Sequence, residues 1–555
     1  MPSLSFSSIA LTGVAAWVIR VVYKLAFARN PLDNLPGPPR KSALLGNVPN
    51  AFSGEDETKM YLEMAKNYGL VNKLYAWGGA HILYVSDPAA VHSILVKDQS
   101  IYDKLEHSYW FTDLLLGKGL LSTRGEQHRR QRKILNPVFN INHMRYMLPT
   151  FFNITHKLRS AIAADVSKGP QEIDMLNWLQ RTALELVGQG GLGHSFDDLE
   201  KDELNPFVEQ LKVFINTALP FIFLGPLLPY LAQIGTPGFR RFVVNHLPFV
   251  RVRNAAKIAI SLWDTTKGIL ETKRAAFKAG DQSVTEQVEE GKDIFSVLFR
   301  ANLVADAEDQ MPDDELIGNM TTLIFAAMET TSSALARALY VLAERPDVQQ
   351  KLRNELLESR AGNGDISYDE LVALPYLDAV CREILRRYPP VVAMVRQAKQ
   401  DASLPLSFPV TGVDGTIYTT IPIRKNTPIS VGIWHLNLSP AIWGEDAEEF
   451  KPERWLSPLP ETVTEARIPG VYSHLLTFNG GTRACIGFKF AQLEMKVVLA
   501  TLVSTFKFEL PEKEIKWHPT EIQYPTVVGG NSSRAELPLR VSLVDIDNND
   551  VDCLF

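Results

Sequence analysis

The sequence contains very little cysteine. Its 555 residues include only Cys381, Cys485 and Cys553. Three thiols cannot build the disulfide framework of a small secreted protein or a multi-cysteine zinc site, and so few of them fit a reducing compartment. Each cysteine must therefore be explained on its own, and the usual explanation is a small apolar side chain in the core.

The sequence also lacks an excess of charge of either sign. It carries 57 lysines and arginines against 63 aspartates and glutamates, which gives a net charge of −6 at pH 7. Such a balanced composition argues against nucleic acid as the main partner. Hydrophobic residues make up 46 % of the chain, which is enough for a large core. We see no internal repeat and no low-complexity tract, so we expect one large domain.

The amino-terminal segment has no long, uninterrupted apolar run. Residues 9–19 carry no charge but are too few to cross a bilayer alone, and Arg20 and Lys24 follow them. Residues 4–27 together reach spanning length. The two basic residues lie four apart on one helix face, so both can extend towards lipid headgroups.

A cleaved signal peptide is the alternative, because Ala-Phe-Ala at 26–28 resembles a cleavage site. No basic residue precedes the apolar run, and the positive charges lie within it or after it. These flanks favour an uncleaved, single-pass anchor over residues 1–34, with the rest of the chain facing the cytosol. Residues 35–50 are predicted to form a proline-rich hinge, residues 51–544 the folded domain and residues 545–555 an acidic tail.

The periodicity of the folded domain predicts a mainly α fold with a small β-rich part. Helical patterns include residues 125–135, 313–342 and 377–388, whereas residues 74–85 suggest two strands with a turn at 78–79. The 313–342 helix begins with acidic residues, which suit the positive end of the helix dipole.

The segment 213–234 is very apolar, and three prolines make a spanning helix there improbable on physical grounds, since each one interrupts the backbone hydrogen bonds. Two interpretations carry equal weight. The segment is either part of the core or a flap that enters a membrane or covers a pocket.

The most informative segment is residues 478–487, Phe-Asn-Gly-Gly-Thr-Arg-Ala-Cys-Ile-Gly. The glycines before Cys485 let the backbone turn tightly and approach a flat ligand, and Gly487 lets the next helix start close to the same surface. Arg483 is a fixed cation suited to a carboxylate on that ligand, and Phe478 can shield the sulfur from water. Backbone N–H groups can stabilise a thiolate. A chance match to this pattern has a frequency of about one in ten thousand for a chain of this length.

Residues 478–487 resemble the haem-binding signature of the cytochrome P-450 monooxygenases. The resemblance implies the cytochrome P-450 fold in a single large catalytic domain behind the membrane anchor. It further implies that Cys485 is the axial ligand of the iron of haem b, and that its thiolate donates electron density that favours O–O cleavage. The sequence of residues 125–139 is most similar to that of fungal microsomal members of the family.

Two further segments resemble motifs of the same family. Residues 383–386, Glu-Ile-Leu-Arg, are similar to its E-x-x-R motif, and residues 452–455, Pro-Glu-Arg-Trp, to its P-E-R-F motif with Trp in place of Phe. The resemblance implies that Glu383, Arg386 and Arg454 form a buried ionic triad that supports the cysteine loop without taking part in the chemistry.

The predicted long helix carries residues 326–331, Ala-Ala-Met-Glu-Thr-Thr. A charge within such an apolar run is costly unless it has a purpose. The segment resembles the family's oxygen-activation motif, with Ala327 in place of the common Gly. The resemblance assigns to Thr330 a hydrogen bond to dioxygen and to Glu329 the delivery of protons.

The basic helix at 125–135 places His128 and Arg132 four residues apart, so they face one way. Many family members have Trp where His128 stands, but an imidazole can still donate to a haem propionate. Arg396 matches a further propionate-binding position of the family. Arg129 and Arg130 fit a solvated surface and a docking site for an acidic reductase equally well.

The sequence therefore predicts a monooxygenase that inserts one atom of dioxygen into a hydrophobic small molecule, with a terpenoid or other secondary metabolite favoured over a fatty acid or a sterol. No flavin or nicotinamide fingerprint occurs in the chain, so electrons would come from a separate NADPH-dependent flavoprotein reductase. The alternatives are a haem-thiolate isomerase or dehydratase that does not use dioxygen, and a non-enzymatic haem binder or electron carrier. The topology of the family that the chain resembles implies which segments line the pocket: 101–121, 213–234, Phe325, Met328, 391–395 and 525–528.

Overall fold

A computed structural model describes most of the folded domain. The described residues are 30–42, 45–47, 63–64, 66–76, 79–200, 206–218, 221, 225, 227–231, 233–279, 293–304, 310–359, 364–530 and 534–544. The apolar segment of the predicted anchor and the predicted acidic tail lie outside these residues. Within them, no helix combines the length and the hydropathy that crossing a bilayer requires.

Helices make up most of the described chain, as the periodicity predicts. They are α1 (Pro88–His92), α2 (Glu106–Leu116), α3 (Gly125–Leu135), α4 (Ile141–Val166), α5 (Met175–Leu186), α6 (Pro206–Lys212), α7 (Phe214–Ala218), α8 (Leu228–Leu231), α9 (Pro237–His246), α10 (Val250–Lys278), α11 (Ile294–Val304), α12 (Asp313–Glu344), α13 (Pro346–Ser359), α14 (Tyr368–Ala373), α15 (Pro375–Arg387), α16 (Ile433–Asn437), α17 (Pro440–Trp443), α18 (Glu461–Glu465) and α19 (Phe488–Thr505).

The strands form small sheets beside the helices. They are β1 (Val71–Tyr75), β2 (His81–Val85), β3 (Tyr102–Asp103), β4 (Gln171–Asp174), β5 (Ala393–Ala398), β6 (Ala402–Thr411), β7 (Ile417–Ile423), β8 (Pro428–Gly432), β9 (Gly470–Tyr472), β10 (Leu475–Gly480), β11 (Phe506–Glu509), β12 (Ile515–His518), β13 (Tyr524–Val527) and β14 (Pro538–Leu543). The largest sheet has the strand order β1-β2-β8-β5-β3, in which β2 and β8 are parallel and the other pairs antiparallel.

The long helix α12 runs through the core and packs against α5, α10 and α19. Most of its side chains are buried, which its apolar sequence requires, and three acidic residues occupy its first turn, where the helix dipole favours them. α19 follows the cysteine loop and packs against α4, α12, α13 and α15. These two helices bring the oxygen-activation motif and the cysteine loop to the same region of the core.

Several predicted elements are confirmed almost to the residue. α3 has the predicted bounds, and α12 is two residues longer at its end than predicted. α15 starts two residues earlier than predicted, at Pro375, because proline is favoured in the first turn of a helix. The predicted strands near 74–85 are β1 and β2, which pair antiparallel from Val71 opposite Val85 to Tyr75 opposite His81.

The last residues of the predicted anchor, 30–34, and the start of the predicted proline-rich hinge are packed onto the domain. Leu32 and Leu35 are buried. The Lys73 N–H donates to the Pro36 carbonyl (2.9 Å), and Asn34 Nδ2 donates to the Tyr418 hydroxyl (2.9 Å). Residues 30–36 therefore lie against β1 and the β6–β7 hairpin.

The apolar segment 213–234 contains short helices in place of one straight span. Its first part belongs to the core, since Phe214 and Ala218 are buried. Its last described part is at the surface, since Tyr230, Leu231 and Ile234 are exposed. The core interpretation therefore holds for the first part of the segment, and the flap at its exposed end stays a prediction.

Candidate active site

The cysteine loop is held by its own backbone and by Asn479. β10 ends at Gly480, and the Cys485 N–H donates to the Phe478 carbonyl (2.8 Å). Asn479 has φ +60°, a conformation that asparagine tolerates better than most residues. Its Oδ1 accepts from the Gly480 N–H (2.7 Å), and its Nδ2 donates to the Arg483 carbonyl (3.1 Å). The loop is thereby closed around the cysteine.

The glycines of the loop serve more than one purpose. A Cβ on Gly480 would lie 2.1 Å from the Pro469 carbonyl oxygen, and one on Gly481, which has φ +68°, would lie 1.9 Å from the Leu95 carbonyl oxygen. These two glycines are needed for packing against protein backbone, and neither borders the cavity; their approach to a ligand stays a prediction. Gly487 does face open space, because a Cβ there would meet only a Phe139 ring atom, at 3.9 Å.

The Cys485 thiol opens into an internal cavity. It is exposed to that cavity, while the surrounding protein shields it from bulk water. Burial raises the pKa of the Cys485 thiol, whereas a hydrogen bond from the Gly487 N–H and the nearby Arg132 guanidinium lower it. The nearby Phe478 side chain is held between the rings of Tyr472 and Phe488. The open thiol could ligate a metal in the cavity.

The cavity has a volume of about 400 Å³ and lies between α3, α12, β5, the cysteine loop and α19. Its wall is mostly apolar. The apolar side chains that line it include Leu121, Leu323, Ala327, Val391, Met394 and Phe490. An apolar pocket with a few convergent polar groups is the usual form of a small-molecule site.

A cluster of positive groups borders the cavity. Among the described residues, the cations of the lining are Lys104, Arg132, Arg396 and Arg483. The imidazole of His128 lies beside them, and the lining includes no carboxylate. All of them except Lys104 could be predicted from sequence motifs. Lys104 lies in the segment expected to line the pocket, but no motif distinguishes it.

Backbone carbonyls hold two of these cations in place. Arg483 donates to the carbonyls of Leu120 (3.1 Å) and Thr123 (2.9 Å) and to the hydroxyl of Tyr109 (3.0 Å). Arg132 donates to the Ala484 carbonyl (2.5 Å), so α3 is tied directly to the cysteine loop.

The electrostatics of this cluster call for an anionic ligand. Burial, together with the neighbouring arginines, lowers the pKa of Lys104 to about 7 and that of Arg396 to about 10. The same causes lower the pKa of His128 to about 3, so its imidazole is neutral and keeps an N–H to donate. A flat ligand with two carboxylates would offset these charges, and the propionates of haem fit that description.

The side chains of the predicted ionic triad are buried, but the two arginines do not contact Glu383 equally closely. Arg386 and Glu383 are both 0 % exposed and form a bidentate pair at 2.8 Å and 2.8 Å. Arg454 lies 3.6 Å from the Glu383 carboxylate and pairs more closely with Asp446, at 2.8 Å. The Trp455 Nε1–H donates to Glu383 at 2.9 Å, so the residue that departs from the family motif contributes its own hydrogen bond.

Asn437 connects the triad to the cysteine loop. Its carbonyl accepts from Arg386 (3.0 Å), its Oδ1 accepts from the Leu476 N–H (3.0 Å), and its Nδ2 donates to the Thr477 hydroxyl (2.8 Å). Leu476 and Thr477 belong to β10, which leads into the loop. This role of Asn437 could not be predicted from the sequence, because a lone asparagine belongs to no recognisable pattern.

We expect Trp455→Phe to weaken this support. The change removes the hydrogen bond to a buried carboxylate but keeps an aromatic ring, so the free energy of unfolding should fall by about 2 kcal/mol. Trp443→Phe is the matched control, since the buried Trp443 Nε1 has no hydrogen-bond partner among the residues that the structure describes. Thermal unfolding of both variants checks the prediction, and equal stability of the two would contradict it.

The oxygen-activation motif is divided between two sides of α12. Thr330 lines the cavity, and its hydroxyl donates to the Ala326 carbonyl one turn earlier (2.7 Å). Glu329 lies at a separate, smaller cavity with Gln180 and Lys212. Burial raises the pKa of Glu329 to about 8, although Lys212 and a hydrogen bond from Gln180 lower it. Glu329 does not reach the main cavity in the described structure.

The pocket prediction is confirmed only in part. Segments 101–121 and 391–395 contribute to the cavity wall. Phe325 packs edge-on against Phe214, with ring centroids 5.8 Å apart, and Met328 is buried, so neither lines the cavity. None of the described residues in 213–234 or 525–528 belongs to the wall. Only one face of α12 points to the cavity, and Phe325 and Met328 lie on other faces. The prediction did not consider which residues of the helix share the cavity face.

A mainly helical fold with a thiol that opens into an apolar, cation-bordered cavity defines the class of haem-thiolate enzymes. Comparison with known proteins leads to the same class. The pattern of the cytochrome P-450 family matches residues 36–529. The chain is 50 % identical over 530 residues to cytochrome P-450 monooxygenase 91 of Postia placenta, covering 95 % of this chain and 97 % of that one.

Two other fungal relatives match over nearly their whole lengths. A ganoderic acid synthetase of Ganoderma lucidum is 44 % identical over 546 residues, which cover 98 % of this chain and 99 % of the relative. A cytochrome P-450 monooxygenase of Hericium erinaceus is 37 % identical, covering 97 % of each chain. The chain belongs to the cytochrome P-450 family. It is an oxidoreductase of the monooxygenase class, and membership implies haem iron and the use of dioxygen.

Proposed function

We propose that this monooxygenase inserts one atom of dioxygen into a hydrophobic small molecule, with a terpenoid or other secondary metabolite as the favoured substrate class. The observation that carries the proposal is the open Cys485 thiol in an apolar cavity bordered by cations. The relative named for the synthesis of ganoderic acid supports a product of secondary metabolism. Electrons come from a separate NADPH-dependent flavoprotein reductase.

In this proposal Cys485 ligates the haem iron, and Arg483, Arg396, Arg132 and His128 hold the propionates. Lys104 joins them, since it borders the same cavity and carries a cation that lacks a carboxylate partner in the cavity wall. Bound haem supplies the cleavage of dioxygen and the insertion of oxygen. The apolar wall binds the substrate and excludes water from the reacting groups.

The proton donors are supplied by α12. The Thr330 hydroxyl borders the cavity and donates a hydrogen bond there when it leaves the Ala326 carbonyl. Glu329 holds a proton near neutral pH, because burial raises its pKa to about 8. For Glu329 to pass that proton to Thr330, its side chain or an intervening water has to bridge the two sides of α12.

The substrate class can be tested with the full-length protein. We would screen terpenoids, sterols and fatty acids by substrate-binding difference spectra, and then measure turnover with NADPH, dioxygen and a fungal flavoprotein reductase. A product that carries one oxygen atom from isotopically labelled dioxygen is the expected result. A product formed equally well without dioxygen would favour an isomerase or dehydratase, and reduction without any product would favour an electron carrier.

We also propose that the protein resides in the endoplasmic reticulum membrane through its amino-terminal segment and a second, peripheral contact. The support is an exposed apolar patch on α8, α9 and the start of α10. Its most exposed members are Tyr230 (72 %), Phe249 (62 %) and Phe242 (60 %). Arg251 is also exposed beside it, and basic residues next to apolar ones favour an anionic leaflet.

We expect a protein that lacks residues 1–29 to sediment with anionic liposomes, because the patch remains. The deletion stops before Asn30, since residues 30–34 pack onto the domain. Replacing Phe242 and Phe249 by Glu should reduce the bound fraction by about tenfold or more, since two buried aromatic contacts are lost.

The matched control places the same charges at Val413 and Ile417, which are 74 % and 69 % exposed on the β6–β7 hairpin. That variant should still sediment with the liposomes. If the truncated parent protein stays in the supernatant, the patch is not a membrane contact.

A further inference from the structure

The turn between α15 and β5 contains two prolines, which can form backbone hydrogen bonds only through their carbonyl groups. Pro389 and Pro390 are buried, and proline has no backbone N–H to donate. A buried carbonyl without a partner costs free energy, so each of them needs a donor. One residue supplies both donors. Gln523 donates its backbone N–H to the Pro390 carbonyl (2.9 Å) and its side-chain Nε2 to the Pro389 carbonyl (2.8 Å).

Gln523 is bonded to α12 by its other two polar groups. It lies directly before β13, in the β12–β13 hairpin, and is 3 % exposed. Its carbonyl accepts from the Ser333 hydroxyl (2.6 Å), and its side-chain Oε1 accepts from Arg337 Nη2 (3.2 Å). Ser333 and Arg337 are four residues apart and therefore share one face of α12. All four polar groups of Gln523 thus join α12 to the proline turn.

Arg337 connects the same three parts of the fold through aromatic rings. Its guanidinium lies 3.5 Å from the ring centre of Trp517, on β12, and 4.5 Å from the ring centre of Tyr388, which precedes the two prolines. A guanidinium over an aromatic face is attracted by the electrons of the ring, most strongly where water is excluded. Hydrogen bonds and ring contacts therefore both hold α12, the proline turn and the hairpin together.

These contacts lie behind the wall of the main cavity. Pro390, Val391 and Met394 border the cavity on one side, and α12 borders it with Thr330 and Ala334. Gln523 and Ser333 instead border the smaller cavity, so they hold the wall from outside. A mostly apolar cavity offers few directional groups and selects its ligands largely by shape. The position of segment 390–394 relative to α12 therefore affects which molecules fit.

We propose that Gln523 is a positioning residue that sets the shape selectivity of the cavity by fixing segment 390–394 against α12. The inference deepens the proposed function and rests on it, since it concerns the cavity in which the substrate would bind. Gln523 acts through the carbonyls of Pro389 and Pro390. A ligand of the wrong shape has to displace the wall, and the wall resists displacement only as strongly as its hydrogen bonds hold it.

Azole binding to the full-length, haem-loaded protein tests the proposal without a substrate and without proton transfer. The three positional isomers of 1-biphenylylimidazole have the same ligating nitrogen and the same apolar bulk but differ in shape. Each should shift the Soret band on binding, and the ratio of the weakest to the strongest dissociation constant measures shape selectivity. Gln523→Met keeps the length of the side chain and removes its two side-chain hydrogen bonds. This ratio should fall by about tenfold, while the dissociation constant of unsubstituted imidazole stays the same.

Gln349→Met is the matched control. Gln349 is 2 % exposed and is equally well bonded, since its Nε2 donates to the carbonyls of Leu342 and Phe508 (2.9 Å each) and its Oε1 accepts from Arg353 (2.7 Å). None of these partners belongs to the cavity lining that the structure describes. The control should unfold at a lower temperature and keep the parent ratio. An equal fall of the ratio in both variants would mean that only packing was loosened, which would overturn the proposal.

Ser333→Ala is a milder variant that decides the question if Gln523→Met does not fold. It removes the hydrogen bond to the Gln523 carbonyl and leaves the amide side chain in place, so the ratio should fall by about threefold. An unchanged ratio in either variant that folds would overturn the positioning role. A parent protein whose Soret band does not respond to imidazole would instead overturn the proposed haem site, and this inference with it.

Discussion

Cys485→His should remove the red-shifted Soret band of the reduced carbonyl complex while some haem remains bound. An imidazole can ligate iron, but it is a neutral donor and does not supply the electron density of a thiolate. Monooxygenase turnover should fall by at least about a hundredfold. Removing a residue that only hydrogen-bonds to a metal ligand can already cost that much, and here the ligand itself is replaced. The absorption spectrum of the reduced, carbon monoxide-treated protein is the measurement.

Cys381→Ser is the matched control for that spectrum. Cys381 is buried on α15, and burial raises the pKa of its thiol to about 12, so it is not a thiolate at neutral pH. This variant should keep the red-shifted band. A Cys485→His protein that also keeps the band would show that Cys485 is not the ligand.

Thr330→Ala should bind haem and substrate as the parent protein does but release peroxide in place of product. The variant loses the hydroxyl that borders the cavity, and with it a positioned hydrogen-bond donor for the proton-consuming step. We expect product per NADPH consumed to fall by about tenfold or more, given the range of positioned proton transfer. Parallel measurement of NADPH, peroxide and product gives this ratio.

Thr322→Ala provides a control on the same helix. Thr322 also borders the cavity, and its hydroxyl donates to the Gly318 carbonyl at 2.7 Å, as Thr330 does to Ala326 at 2.7 Å. The control therefore loses the same local hydrogen bond two turns away. If product per NADPH consumed falls equally in both variants, the loss comes from altered helix packing. If this ratio is the same in Thr330→Ala and the parent protein, Thr330 has no part in the mechanism.

The elements that sequence predicted well are those whose signal is local. The bounds of α3 follow from its own composition, and the strands β1 and β2 from their alternation around a glycine turn. The cysteine loop was recognisable because its backbone needs residues of fixed type at fixed spacing. Asn479 and Gly481, for example, adopt positive φ values of 60° and 68°.

The features that sequence could not predict depend on which side chains meet across the fold. Lys104 joins the cation cluster, and Asn437 connects the triad to β10, although neither residue stands in a pattern. The motif Glu329-Thr330 is contiguous in sequence, but neighbouring residues on a helix point in different directions. The structure therefore separates them between two cavities.

The cation cluster has a consequence for biogenesis. The Arg483 guanidinium lies close enough to lower the pKa of both Lys104 and Arg396, so the polypeptide alone stores electrostatic repulsion inside its core. A ligand that neutralises this repulsion binds the folded state and not the unfolded one, which makes the folding equilibrium depend on its concentration. Salt screens buried charges poorly and cannot replace that ligand. The cellular supply of haem should therefore limit how much of this protein accumulates in a folded form.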